Sequence, residues 1–254
     1  MNGTLLRKEL RETRWKLVLG TAVLAATAIF LPLSFNFLKD LISAIPPEQL
    51  ERFGGMMPAN IFNDYSLYLW SQWNAKNLAQ IGTILAVLVG MNLIAGEISG
   101  QTAGFLLTRP ISRRSVFLTK ALTGMLILIS MVWFSTIVMV ITAHFTPYTV
   151  DAGRLLLTTV ITTLGLLVLF SLTLLFSTLI DEPVKAAGAT LLVILLLVFC
   201  GWIEPLRFLN IFYHMNGAQY FIGGTFPVVS TAIMCAAAVV LLAAGLRLFE
   251  KKEF

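Results

Sequence analysis

Apolar positions along this chain fall in long unbroken blocks, not in strand-like alternation. A bilayer core is about 30 Å thick, so a spanning helix needs about 20 predominantly apolar residues. Blocks of that length lie at 17–37, 77–95, 120–143, 155–179, 185–203 and 227–247, and their interiors hold no Asp, Glu, Lys, Arg or His. A chain crossing lipid must satisfy its backbone within each segment, which leaves the helix as the natural form. The pattern predicts an all-α membrane protein with six transmembrane helices, built as a single domain over 1–254.

The segments between the blocks carry their own patterns. In "TLLRKELRETRWKL", Leu6, Leu10 and Leu17 recur near helical spacing with charges elsewhere and Trp15 toward the membrane. That predicts an N-terminal amphipathic interfacial helix over 1–16, lying along the inner leaflet before the chain turns into the bilayer. A plain basic topology anchor is the alternative. Residues 38–76 form a long outer loop, in which Pro46–Pro47 and Gly54–Gly55 bracket a short helix. Tyr65, Tyr68, Trp70 and Trp73 follow, rings suited to the membrane–water boundary. Residues 203–227 are aromatic but broken by Pro205, Gly217, Gly223, Gly224 and Pro227. This outer segment before the last span either lies on the surface or re-enters the bilayer under a cover of protein.

Composition agrees with a membrane solvent. Hydrophobic residues make up 57% and charged ones 12%, against about 25% charge in ordinary soluble domains. The net charge of +5 suggests nucleic acid only until the positions are considered. With the N-terminus inside, thirteen of the 18 Lys and Arg residues fall on the inner side, as the positive-inside rule requires. Both termini are then cytoplasmic, the protein is multi-pass in the cell (inner) membrane, and no nucleic-acid partner is expected. Cys200 and Cys235 lie inside apolar blocks and read as small buried residues. No cleavable signal peptide is expected, because the first sixteen residues are strongly charged.

Catalytic and energy-coupling chemistry is absent as motif. There is no GxxxxGK[ST], HExxH or GxSxG. His144 and His214 sit near predicted outer segment ends, where interfacial polar residues are commoner than metal ligands. Ion-driven transporters place ionisable groups within the membrane, and these spans hold none. Asn92 is expected to bond across to another helix. If the protein moves a substrate, the energy comes from another subunit. No cofactor or metal is expected in this chain, and it is not expected to be an enzyme.

One polar stretch stands apart: "GEISGQTAGFLLTRPISRRSVFLTK", beginning at Gly96. Pro110 ends a helical stretch, Ser112 can cap the next helix, and Arg109, Arg113 and Arg114 can pair with carboxylates or anionic headgroups. Gly96, Gly100 and Gly104 share a helix face and would admit a neighbouring backbone. Arginines beside a span also serve as plain topology anchors, and Glu97 reads equally as a solvated charge at a helix end.

These residues resemble the cytoplasmic segment between the second and third spans of ABC-2-type transporter permeases. Glu97 matches the family's Glu, Thr102 its Thr, Leu106 and Leu107 its leucines, and Pro110-Ile111-Ser112-Arg113-Arg114 its final run. Gln101 departs from the usual Gly, and Gly104 stands where an acidic residue is common. The six-span layout is also similar. The resemblance implies an exporting permease subunit that pairs with a second copy or a related permease. Two copies of a separate ATPase subunit would bind ATP and Mg below it. It implies an ATPase-coupling role for 96–116, with Glu97, Thr102, Arg109, Pro110, Arg113 and Arg114 as its residues. A peptide, lipid-like molecule, drug or ion would be exported. An alternative is a mechanotransmission or assembly module acting on an outer-surface partner without transport. A lipid-acting membrane enzyme is a third reading, disfavoured by the lack of clustered Asp, His or Lys near span ends.

Overall fold

The computed structural model describes residues 3–44, 61–62, 64–101 and 112–252. Among the described residues the protein is all-α, with no strand. The helices are α1 (Gly3–Ser43), α2 (Tyr65–Gln72), a π turn (Trp73–Leu78), α3 (Ala79–Gly90) and α4 (Ala95–Ser99). Then come α5 (Arg113–His144), α6 (Ala152–Leu179) and α7 (Pro183–Cys200). A 3₁₀ turn (Glu204–Leu209), the short α8 (Ile211–Met215) and α9 (Ala218–Phe221) precede α10 (Val228–Lys251).

Among the described residues, five helices are long and apolar enough to cross a membrane: α1, α5, α6, α7 and α10. The second apolar block, 77–95, is not one α-helix. It is divided between the end of the π turn, α3 and the turn that precedes α4. The π turn opens a backbone gap that a side chain fills: Asn77 Nδ2 donates to the Gln72 carbonyl at 2.7 Å.

The N-terminal reading needs correction. α1 runs unbroken from Gly3 to Ser43, so the basic segment continues straight into the first apolar block with no turn between them. Its faces also differ from the expected ones. Glu9 and Thr13 are buried while Leu10 is exposed, because Glu9 finds its counter-ion, Lys120, inside the bundle. The buried row continues through Gly20, Leu24, Ala28, Leu31 and Phe35. It lies along α5, and the two run parallel: Glu9 meets Lys120 near one end, and Asn36 meets Tyr148 near the other. The stretch 65–90 runs back against α1, since Tyr68 reaches Leu31 and Lys16 reaches Leu88.

α6 is the central helix, packed by α3, α5, α7 and α10. Its buried face carries a series of threonines and serines, most of which return their hydroxyl to the carbonyl four residues back. Three glycines let neighbours close on this core. A β-carbon at Gly82 would lie 2.6 Å from Leu166, at Gly124 2.5 Å from Phe170 and at Gly165 2.3 Å from Met215 Cβ.

The boundary rings are placed differently from expectation. Tyr65, Tyr68, Trp70 and Trp73 are all buried, because their polar atoms find partners inside the protein. Tyr68 donates to the Leu31 carbonyl at 3.3 Å, Trp70 to the Asn216 carbonyl at 2.9 Å and Trp73 to Thr136 Oγ1 at 3.0 Å. The segment before α10 folds as a 3₁₀ turn against α7, followed by α8 and α9 laid onto α6. Thr162 Oγ1 donates to the Met215 carbonyl at 2.9 Å, and Trp70 stacks on Phe221 at 5.3 Å. Protein thus covers part of its irregular backbone. The short helix at Pro46–Pro47 lies outside the described residues.

Candidate functional site

Residues 91–101 close the second helical stretch and lead to the polar segment at 102–111. Four turn residues separate α3 from α4, and Ser177 of α6 braces them. Its hydroxyl accepts from the backbone N–H groups of Ile94 (3.3 Å) and Ala95 (3.0 Å) and donates to the Met91 carbonyl (2.8 Å). That uses the full hydrogen-bonding capacity of one serine hydroxyl. From the other side, Lys16 Nζ donates to the Leu88 carbonyl at 2.9 Å, one of the acceptors left open at the end of α3.

Glu97 follows within α4 and is only 8% exposed. Lys120 Nζ lies 2.8 Å from its Oε1 and 2.6 Å from Glu9 Oε1, and Lys8 Nζ lies 2.8 Å from the same Glu97 oxygen. Glu12 joins at the edge, 3.6 Å from Lys8. Lys120 is 2% exposed and Glu9 3%, so this is a buried ionic network joining α1, α4 and α5. Desolvating such charges costs several kcal/mol per ion, which only close, hydrogen-bonded partners offset. A lysine 2.6–2.8 Å from two carboxylates meets that condition.

Oxygens of Glu9, Glu12 and Glu97 lie within 4.8 Å of one another, a spacing that would suit a cation. The ammonium groups of Lys8 and Lys120 already occupy the space between them. The donor set is that of an ion-pair network and does not fit a metal.

The other predicted coupling residues have different fates. Thr102, Arg109 and Pro110 lie outside the described residues. Ser112 caps α5 as expected, accepting from Ser115 N at 3.3 Å. Arg113 donates to the Glu250 carbonyl at 3.1 Å and to the Lys252 carbonyl, while Arg114 is exposed. Lys252 in turn donates to the Thr178 carbonyl at 2.6 Å and pairs with Asp181. The entry of α5 is therefore held on one flank by the end of α10 and on the other by α1.

The glycine reading is corrected here. α4 stops at Ser99 and Gly100 caps it. Gln101 then takes a left-handed φ of 56°, so Gly96 and Gly100 do not line an extended helix, and Gly104 lies outside the described residues. At Gly96 a β-carbon would make only ordinary contact, 3.5 Å from Asn92. The Gln101 conformation is one that favours glycine.

Asn92 makes no side-chain hydrogen bond across to another helix among the described residues. Asn74 does: its Nδ2 donates to Thr159 Oγ1 at 2.9 Å, while its buried Oδ1 has no partner. Both His214 ring nitrogens are engaged, with Ser230 Oγ at 3.0 Å and the Phe208 carbonyl at 2.8 Å, which makes it a structural tie of the outer segment.

Sequence reasoning found Glu97 but missed its partners Lys120, Lys8 and Glu9. In the sequence Lys8 and Lys120 stand only among the thirteen inner-side charges. The usable signal was the helical row Glu9, Thr13, Gly20, Leu24, whose lower end is polar and whose upper end is small and apolar.

The family model for ABC-2 family transporter proteins matches residues 4–254. The chain belongs to the ABC-2 transporter family. No curated protein matches it. ABC-2 permeases are membrane subunits that work with an ABC ATPase. This ABC-2 family chain is thus a multi-pass membrane protein of transport, and the charged network includes Glu97, at the start of the stretch that resembles the family's.

Proposed function

We propose that this chain is the permease subunit of an ATP-driven exporter, with a separate ATPase subunit docking on the 96–116 segment. The observation that carries the reading is Glu97. The glutamate at the start of the family-like motif is buried and ion-paired to α1 and α5 at once. A push that reaches Glu97 would then be passed to two long helices through direct ion pairs. Ser177 and Lys16 add a second brace just before it.

The chain crosses the membrane six times in this reading, the second crossing being the continuous helical stretch 65–90 with its π turn. Its direction supports this: α1, α5 and α7 run one way, and the stretch 65–90, α6 and α10 run the other. Both termini face the cytoplasm, on the side of the charged network, in the cell (inner) membrane. Two permease copies, or this chain and a related permease, enclose the path, and two ATPase subunits bind ATP and Mg.

Co-purification with candidate ATPase subunits tests the reading. The wild-type chain retains an ATPase and raises its hydrolysis rate, whereas Glu97→Gln combined with Arg113→Gln and Arg114→Gln loses the association or the stimulation. A chain that purifies without any ATPase from cells where it functions, with those replacements silent, contradicts it.

A further inference from the structure

The two faces of the first turns of α1 are unlike. One face is spent internally: Glu9 on Lys120, Lys8 on Glu97, Lys16 on the Leu88 carbonyl. The other presents Arg7, Arg11 and Arg14, all exposed. These three stand at i, i+4 and i+7 on one stripe of the helix. Among the described residues, no carboxylate lies within ion-pair distance of any of them.

Like charges at this spacing repel and weaken a helix, so the stripe calls for an anion from outside the chain. Its surroundings identify which. Following the same row along the unbroken helix, Val18, Ala22, Ile29 and Leu33 are also exposed, with Ala25 half-buried between them. Trp15 stands beside the stripe, 65% exposed, with the Arg14 guanidinium 5.8 Å from its ring centre. A row that is apolar for its upper length faces lipid. Its lower end, reached after an exposed tryptophan, falls at headgroup depth. At 1.5 Å per residue, Arg14 and Arg11 lie within about 5–10 Å of the first apolar turn. The headgroup layer is about 5–8 Å deep on each side, so Arg14 lies within it and Arg11 at its edge. Arg7, about 16 Å from Val18 along the helix, adds its charge just outside, within reach of its long side chain and the surface potential.

We propose that Arg7, Arg11 and Arg14, with Trp15, form a docking surface for the phosphate groups of anionic phospholipids in the leaflet at this end of α1. The guanidinium fork suits bidentate phosphate bonding, and Trp15 fixes the depth at which the arginines meet it. The surface acts independently of the ionic network on the opposite face, so it is separable from ATPase coupling.

The test uses the full-length chain in nanodiscs of phosphatidylcholine doped with phosphatidylglycerol, with lipid enrichment around the protein measured after extraction. Each basic residue near an anionic surface is worth roughly a fivefold change in attraction. The wild type therefore enriches phosphatidylglycerol, and Arg7→Gln/Arg11→Gln/Arg14→Gln reduces the enrichment by at least tenfold. The matching Lys triple variant keeps most of it, which separates loss of charge from loss of fold. Absence of enrichment in the wild type overturns the proposal, as does enrichment unchanged in the Gln variant. So does a Gln variant that keeps its lipid preference but no longer holds the co-purifying ATPase, which would make the stripe a protein-docking face.

Discussion

At one end of α1, Glu9 and the neighbouring Lys8 meet Lys120 and Glu97 as buried ions. About 39 Å further along the same helix, Phe35 meets Tyr65, Tyr68 and Tyr148, with ring centres 4.8–5.0 Å apart. Both clusters join α1 to the second helical stretch and to the α5 side. The aromatic end does so with neutral contacts that tolerate small losses. Tyr65 donates to the Pro32 carbonyl and Tyr68 to that of Leu31, each at 3.3 Å, around the proline that interrupts the α1 ladder. The ionic end hinges on Lys120, because removing it leaves Glu9 buried without a counter-charge. An end built for stability alone would not need that sensitivity. The ionic end holds Glu97, the first acidic residue of the 96–116 segment, and the aromatic end holds no part of that segment.

The sharpest way to break this contrast is Lys120→Met. It leaves Glu9 and Glu97 facing each other in a buried site and should cost about 3–5 kcal/mol, read as a large fall in the midpoint of denaturant unfolding in micelles. Replacing all three together, Glu9→Gln, Glu97→Gln and Lys120→Met, should recover most of that loss. Midway along α6, where α8 packs on it, Gly165→Ala sets a β-carbon 2.3 Å from Met215 Cβ, and overpacking of this kind costs about 1–3 kcal/mol. The same unfolding assay checks it.

Tyr68→Phe is the milder probe of the aromatic end. Ser34 still donates to the Leu31 carbonyl at 3.0 Å, so the acceptor keeps a partner and the loss should be about 1 kcal/mol. A larger loss there than at Lys120 would erase the distinction between the ends. Smallest is Gln101→Gly, where relief of the left-handed backbone and the entropy of glycine nearly cancel. A gain of roughly 0.5 kcal/mol is expected.

The long helices were legible because a bilayer imposes a length that apolar runs display openly. Glu97 was legible through its motif, and Ser112 through its position before α5. The partners of Glu97 were not, because Glu9 and Lys120 stand 111 residues apart and only the parallel packing of α1 on α5 brings them together. The rings Tyr65, Tyr68, Trp70 and Trp73 misled for a related reason. An amphipathic ring suits a membrane boundary or a buried site with one polar partner, and the partners Leu31, Asn216 and Thr136 belong to distant segments. The continuity of α1 was hidden by its charges, which the sequence pattern assigned to a separate surface helix. Those charges are divided between an internal face and an external one on a single helix.

The central claim is that Glu97 and Lys120 act as one unit in passing motion between the 96–116 segment and the long helices. A double-mutant cycle on permease-stimulated ATP hydrolysis, with Glu97→Gln, Lys120→Met and both together in the complex with the co-purifying ATPase, measures it most directly. The account predicts that each single replacement removes most of the stimulation and that the double variant is no worse than either. Independent, additive losses, or stimulation that survives both replacements, would contradict it.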